Sequence, residues 1–257
     1  MRDDGLDRAI DAAGGVAELA RKIGISQPSV SNWSKVPAQR VIAVETATGV
    51  SRNELRPDLY SAVSGETIDP VDAARAQEYA LLATLLSAAP SRELLEQIAA
   101  LSCDATPLGR AHAALADAAS ASATANVERE YFDLFVGLGR GELLPYASYY
   151  LTGFLNERPL SRLRADLATS GIERVANSSE PEDHAAILCE IMSGFADGRF
   201  TAAPEAQRAF FEKHVSSWMG RLFADMEGAE NARFYRAVGA LGRLFIEIEA
   251  EAFTFAN

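Results

Sequence analysis

Glu180-Pro181-Glu182-Asp183-His184, followed by Ala185 to Met192, is the stretch from which the rest of the chain can be ordered. Proline fixes φ and lacks a donor that a first-turn residue does not use, so Glu180-Pro181 reads as the approach to a helix. Glu182 and Asp183 then fall in the first turn, where the helix dipole favours negative charge. Ile187, Leu188, Ile191, Met192 and Phe195 recur at helical spacing and predict one buried face, with His184 at its polar edge. A helix accounts for the apolar residues. It does not account for a proline, two carboxylates and a histidine at its mouth, which therefore reads as a binding site.

Outward from this stretch, every segment from Val71 on prefers helix. Ala73 to Leu86 carries an apolar stripe that ends at Ala88-Ala89-Pro90. Ser91 caps Arg92 to Leu101, and Leu108 to Ala121 is alanine-rich, as suits close helix contact. Asn126 to Phe135 follows and ends in the glycine cluster Gly137-Leu138-Gly139-Arg140-Gly141. That cluster follows a helix rather than a strand, and no Lys-Ser/Thr comes after it. It reads as a flexible connection, not a phosphate cradle. Pro145-Tyr146-Ala147-Ser148-Tyr149-Tyr150 is more amphipathic than a core needs, and tyrosine suits a place with one apolar and one wet side. Pro159 opens Leu160 to Ala168, and Gly171 stops it. Pro204 begins one long helix through Phe223, and Ala232 to Phe255 is the last. No strand-length alternation and no fixed-period repeat occurs. The predicted fold is all-α, with a helical bundle over residues 71–257.

The first sixty residues read separately. Leu6 to Ala13 is stopped by Gly14-Gly15, Val16 to Ile23 is a second helix, and Gly24 is a turn. Ser26 caps a third helix running to Trp33, with Ile25, Val30 and Trp33 inward. Gln27, Ser29, Ser31, Asn32 and Lys35 face outward. Gln27 and Asn32 suit adenine edges, Ser29 and Ser31 suit base or phosphate, and Lys35 and Arg40 suit phosphate. Val36 to Arg40 leads into a fourth helix, Val41 to Thr48, and Gly49 to Pro57 closes the unit. Helix, glycine turn, helix is the arrangement that places a second helix in the DNA major groove. A unit of this kind kept for protein contact is the alternative. Tyr60 to Pro70 lacks a helical stripe and reads as a linker, with the boundary near Ser64-Gly65.

The net charge of −12 is uneven: residues 1–60 carry eight basic and eight acidic residues, and residues 61–257 carry 16 and 28. An acidic body repels nucleic acid and attracts a basic partner. No apolar run approaches the roughly 18 residues that span a bilayer, and the acidic start lacks a signal-peptide core, so the expectation is a cytoplasmic protein without membrane insertion. Cys103 and Cys189, in apolar segments, read as reduced core thiols. His112, His184 and His214 lie in separate helices without a second ligand at i+3 or i+4, so no metal is expected. Asp183-His184 is half a relay with no supported nucleophile, so no catalytic residue is assigned and no enzyme is expected.

Residues 5–60 resemble the Cro/YdaS-like helix-turn-helix family, on Gly14-Gly15, Leu19-Ala20, Gly24-Ile25-Ser26-Gln27, Val30-Ser31-Asn32-Trp33, Val36-Pro37, Thr48-Gly49-Val50 and Leu55-Arg56-Pro57. That resemblance implies operator DNA binding by a dimer. Residues 71–255 resemble the TorD family of molybdoenzyme-specific chaperones. The resemblance rests on Tyr131-x-x-Leu134-Phe135-x-Gly137, Pro145-x-x-Ser148-x-Tyr150, Glu180-Pro181-x-Asp183-His184 with Leu188 and Met192, Phe210-Phe211-x-x-His214-x-x-x-Trp218, and Phe234-Tyr235-x-Ala237. It implies an all-helical domain, and no cofactor is expected in it. The implied partners are an apo molybdopterin enzyme, here expected to be a formate dehydrogenase, and its twin-arginine signal peptide, held until the cofactor is in place. The implied peptide-binding residues are Tyr131, Leu134, Phe135, Pro181, Asp183 and His184, and Pro145, Ser148, Tyr150 and Glu180 stand in the same motifs. The loop Gly137 to Gly141 lacks the aromatic residue that some members place there.

Such a peptide carries two cations ahead of an apolar run. Glu180, Glu182 and Asp183 suit the cations, and Tyr131, Leu134, Phe135, Tyr146 and Tyr150 suit the apolar run. The competing assignment makes the aromatics core and Asp183–His184 a structural pair. At the level of the whole chain, the alternative is a one-component transcription regulator with a helical effector domain.

Overall fold

A computed structural model describes residues 3–37, 40–57, 68–172, 180–200 and 202–255. Contacts divide the chain into two compact units, residues 1–67 and 68–257. The described residues form helices, turns and loops, with one isolated β-bridge between Tyr146 and His184. The linker expected over 60–70 lies mostly outside the described residues.

The first unit contains α1 (Asp4–Ala13), α2 (Val16–Lys22), α3 (Gln27–Ser31), α4 (Val41–Thr48) and α5 (Arg52–Leu55). Asp3 caps α1 by accepting from Gly5 N–H at 2.8 Å, and Gly14 ends it at φ 92°, a left-handed conformation that suits glycine. Leu6, Leu19, Val30, Val36, Val41, Val44 and Leu55 are fully buried together. Arg56 is buried as well, and its guanidinium donates to Val36 O at 2.6 Å. The third helix is shorter than the sequence suggests: Asn32 is its C-cap, and Trp33 lies beyond it, half-buried. Ser26 takes the N-cap position, but its hydroxyl pairs with the Ser29 hydroxyl at 2.8 Å rather than with a backbone N–H.

The second unit contains α6 (Pro70–Ser87), α7 (Arg92–Ala99), α8 (Pro107–Ser120), α9 (Thr124–Tyr131), α10 (Ala147–Thr152), α11 (Arg158–Thr169), α12 (Ala185–Ala196), α13 (Pro204–Phe211), α14 (Met219–Gly228) and α15 (Phe234–Phe255). α6 packs along α12, α14 along α15, and α15 also along α8. Tyr79, Phe211, Trp218, Phe223, Phe234 and Tyr235 are the large side chains fully buried between them. Gly239 and Gly242 let α15 approach α14: a Cβ on Gly239 would stand 2.8 Å from Phe223 O, and one on Gly242 would meet the Phe223 ring.

Three expectations about these elements are corrected. The helix behind Pro181 begins only at Ala185, because Asp183 O and Ala185 N–H are engaged by the segment 145–147. Ala147 N–H donates to Asp183 O at 3.0 Å and Ala185 N–H to Pro145 O at 2.8 Å. Glu182 and Asp183 therefore lie before the helix, not in its first turn. The long helix from Pro204 is broken: α13 runs into a π-helical turn, Glu212–Ser216, and α14 restarts at Met219. A second π-helical turn, Phe132–Val136, extends α9. Finally, Cys189 is buried but Cys103 is exposed, so only one of the two thiols is in the core.

Candidate functional site

Tyr131 stands at the last position of α9, where the π turn begins. Its ring stacks at 5.1 Å on Phe135 and 5.9 Å on Tyr235, and Phe135 meets Tyr235 at 5.3 Å. The last carbonyls of an α-helix lack intrahelical donors. Tyr131 Oη donates to Leu86 O at 3.4 Å and Tyr235 Oη to Leu85 O at 3.0 Å, so two tyrosines satisfy the end of α6. Burial, and then Glu180, raise the Tyr131 phenol above its ordinary pKa. The π turn leaves Asp133 and Leu134 carbonyls for the returning chain, which takes them with Glu142 N–H at 3.2 Å and Leu143 N–H at 2.8 Å.

The other wall is the loop before α12. His184 is its N-cap: Nδ1 accepts from Ala186 N–H at 3.1 Å, which leaves the proton of the neutral ring on Nε2. Burial lowers the His184 pKa, outweighing Glu180 and Asp183. Tyr146 sets its ring edge-on to His184 at 5.0 Å and donates its hydroxyl to Glu180 Oε2 at 2.5 Å. Burial and that hydrogen bond push the Tyr146 phenol well up. Glu182 pairs with Arg164 at 2.8 Å.

Between these walls and α6 lies a hollow of about 480 Å³. Tyr131, Glu180, His184, Ala186, Ile187 and Glu190 line one side, and Ala80, Ala83, Thr84 and Ser87 of α6 line the other. Glu190 is exposed and makes no hydrogen bond or ion pair among the described residues. The hollow's far end holds Ser193 and Arg199, and Arg199 is tied to Asp197 at 2.6 Å. The lining thus combines two carboxylates, small apolar side chains, and a tyrosine and a histidine.

Of the ten residues expected to touch a peptide, the structure brings Tyr131, Glu180 and His184 to this hollow, and places Phe135 behind Tyr131. Asp183 is corrected. It has no exposed surface; its Oδ2 accepts from Ser148 N–H at 2.8 Å and Ser148 Oγ at 2.5 Å, capping the start of α10. It borders a small cavity of about 60 Å³ rather than this hollow, and the equally buried Ser148 and Leu134 do not line the hollow either. Pro145 is buried beside them. Pro181 is half-buried and starts the turn that His184 N–H closes on its carbonyl at 3.1 Å. Tyr150 points elsewhere, its ring 5.4 Å from Trp218 and its hydroxyl on Asp225 at 2.9 Å. Glu190 was missed by the motif reading. Its signal was present, since it lies two turns beyond Asp183 as a lone acid in an apolar helix.

In the first unit Gln27, Ser29, Ser31, Asn32, Lys35 and Arg40 are all exposed. Gln27, Ser29 and Ser31 lie in α3, Asn32 caps it, and Arg40 is the N-cap of α4. Lys35 lies outside the helices, so the expected row is half helix and half loop. Among the described residues no three His, Cys, Asp or Glu cluster as a metal would require. No described helix is long and apolar enough to cross a membrane.

Comparison with known proteins finds a match within each unit. Residues 101–224 match the family model described as nitrate reductase delta subunit, and residues 6–64 match the one described as bacterial toxin YdaS. Chaperone protein TorD of Aliivibrio fischeri is 28% identical over 200 residues, covering 69% of this chain and 93% of its own. Chaperone protein TorD of Shewanella loihica is 23% identical over 202 residues, 71% of this chain and 94% of its own. Chaperone protein TorD of Vibrio cholerae is 29% identical over 127 residues, 46% of this chain, and the match spans 58% of that relative's length. The helical body of the chain is thus similar to the TorD chaperones, and the first unit to the YdaS model.

Proposed function

We propose that the chain is a cytoplasmic, non-enzymatic maturation chaperone for a molybdopterin oxidoreductase, and that it holds the enzyme's twin-arginine signal peptide at the hollow beside Tyr131 and His184. One observation carries this reading: Glu180 and Glu190 both line that hollow, in the part of the chain, residues 61–257, that carries the whole net charge of −12. Carboxylates pair bidentately with guanidinium, and an apolar groove takes a helical run. The relatives' name, chaperone protein TorD, supports the class of activity. A formate dehydrogenase is the client we put forward.

Fluorescence anisotropy with a labelled twin-arginine peptide tests the site. Binding is expected to weaken roughly tenfold for a twin-lysine peptide, and similarly for Glu190→Gln. Equal affinity for both peptides, unaffected by Glu180→Gln and Glu190→Gln together, would sink the reading. Capture of the apo enzyme but not the cofactor-loaded enzyme tests the client.

The exposed row Gln27 to Arg40 favours a second activity, operator binding by a dimer, and with it the reading of the chain as a one-component regulator. A gel shift on the DNA upstream of the chain's own gene tests this. Absence of a shift at low salt removes it.

A further inference from the structure

A second hollow, of about 650 Å³, opens between α6, α7, α8 and the end of α15. Its walls are apolar, with Leu81, Leu94, Leu101, Leu108, Phe245 and Ile248 among them. Leu101 and Ile248, 40% and 37% exposed, belong to this one contiguous apolar lining rather than standing singly on the surface. It shares helix α6 with the first hollow but uses a different face, Ala74, Gln77, Glu78 and Leu81 rather than Ala80, Ala83, Thr84 and Ser87.

Two carboxylates line its buried side. Glu249 is satisfied: Arg75 Nε and Nη2 donate to it at 2.8 and 2.9 Å, and Tyr79 Oη at 3.0 Å. Glu78 is only half satisfied. Its Oε2 meets His112 Nε2 at 2.9 Å, and its buried Oε1 has no partner among the described residues. The Glu78 residue is 8% exposed, so that oxygen cannot rely on bulk water.

A wholly apolar guest would cover the walls and leave Glu78 Oε1 without a donor. The guest must therefore bring a donor through apolar surroundings. Lysine and arginine do this, because their stems lie along apolar surface while the head stays polar. Arg75 already answers Glu249 and His112 answers one oxygen of Glu78, so Glu78 Oε1 is the acceptor left for a guest's cation. We propose that this trough docks an amphipathic segment of a partner protein, apolar along one side and carrying one lysine or arginine whose cation meets Glu78 Oε1. This is a second peptide site, independent of the first hollow in its residues. It stands or falls apart from the twin-arginine reading.

The test uses the full chain and a fluorescein-labelled amphipathic peptide of leucine and alanine with a single lysine among the leucines. The peptide is expected to bind saturably. Replacing its lysine by norleucine should weaken binding roughly tenfold, and Glu78→Gln should erase the difference between the two peptides. Ile248→Asp, at a partly exposed rim position that tolerates a polar side chain, should abolish binding of both. Glu190→Gln, at the first hollow, should leave it unchanged. Equal binding of the lysine and norleucine peptides, or indifference to Ile248→Asp, overturns the proposal. Self-association of the chain that Ile248→Asp dissolves, without peptide binding, overturns it in favour of a second copy.

Discussion

Asp183 shows how one buried carboxyl group holds two elements in place. One of its oxygens accepts from both Ser148 N–H and Ser148 Oγ, and its backbone carbonyl takes Ala147 N–H, so the start of α10 hangs on it. Asp183→Ala orphans two buried donors and should cost about 3 kcal/mol, read as a lowered urea midpoint. Glu190→Gln removes an exposed carboxylate and should leave that midpoint within about 0.5 kcal/mol of the parent. Loss of peptide affinity in Glu190→Gln without loss of stability, and loss of stability first in Asp183→Ala, separates contact from positioning. His184 adds a pH signature. Burial lowers its folded pKa below that of the unfolded chain, so below about pH 6.5 the unfolded state binds more protons and stability falls as pH falls. His214 is lowered too, again by burial first, while His112 is raised by its hydrogen bond to Glu78 and acts in the opposite sense. Thermal melts from pH 7.5 to pH 5.5 should therefore show a smaller decline in His184→Asn, which keeps a capping side chain, than in the parent. At this scale the sequence marked the motif but not its division of labour. Asp183 and His184 are neighbours in the chain, yet only the second borders the hollow, because the partner that buries Asp183 is Ser148, 35 positions away.

Helix α15 receives an N-terminal cap from another helix. Glu130, in α9, supplies it: its carboxylate accepts from Arg233 N–H at 2.8 Å, Phe234 N–H at 3.2 Å and Tyr235 N–H at 2.7 Å. These are first-turn donors that otherwise have no acceptor, and the dipole favours the charge there. Glu130→Ala should destabilise the second unit by about 3 kcal/mol, and Glu130→Gln by less, because the amide retains one acceptor oxygen. Chemical denaturation of both variants checks the order; an unchanged midpoint in Glu130→Ala would mean that water serves those donors equally well. Periodicity made α6, α8 and α15 legible to within a few residues, since their buried faces repeat along the chain. It could not show Glu130, whose acceptors' partners are about a hundred residues on, nor the two π turns. The first π turn gives its Asp133 and Leu134 carbonyls to the returning segment at Glu142 and Leu143, and in the second the nearby Trp218 Nε1 donates to His214 O at 2.8 Å.

Across the whole chain, charge separates the two units more sharply than fold does. Both are helical, but residues 1–60 are neutral and residues 61–257 carry the net charge of −12. Association with a cationic peptide should therefore be fast and salt-sensitive, and association with DNA should gain little from long-range attraction. The DNA case can be made quantitative. Each neutralised phosphate contributes about −0.9 to the slope of log K against log salt. Lys35 and Arg40 are the two basic residues on the proposed face, so a dimer would neutralise about four phosphates and show a slope near −4. Lys35→Gln, which removes one cation from each protomer, should bring the slope to about −2, while Glu190→Gln in the other unit should leave it alone. Anisotropy titrations of a labelled operator between low and physiological salt measure this directly. A slope much steeper than −4 would place further cations of the first unit, Arg21 and Lys22 on α2 foremost, against the phosphates, and a slope near zero would remove DNA as its partner.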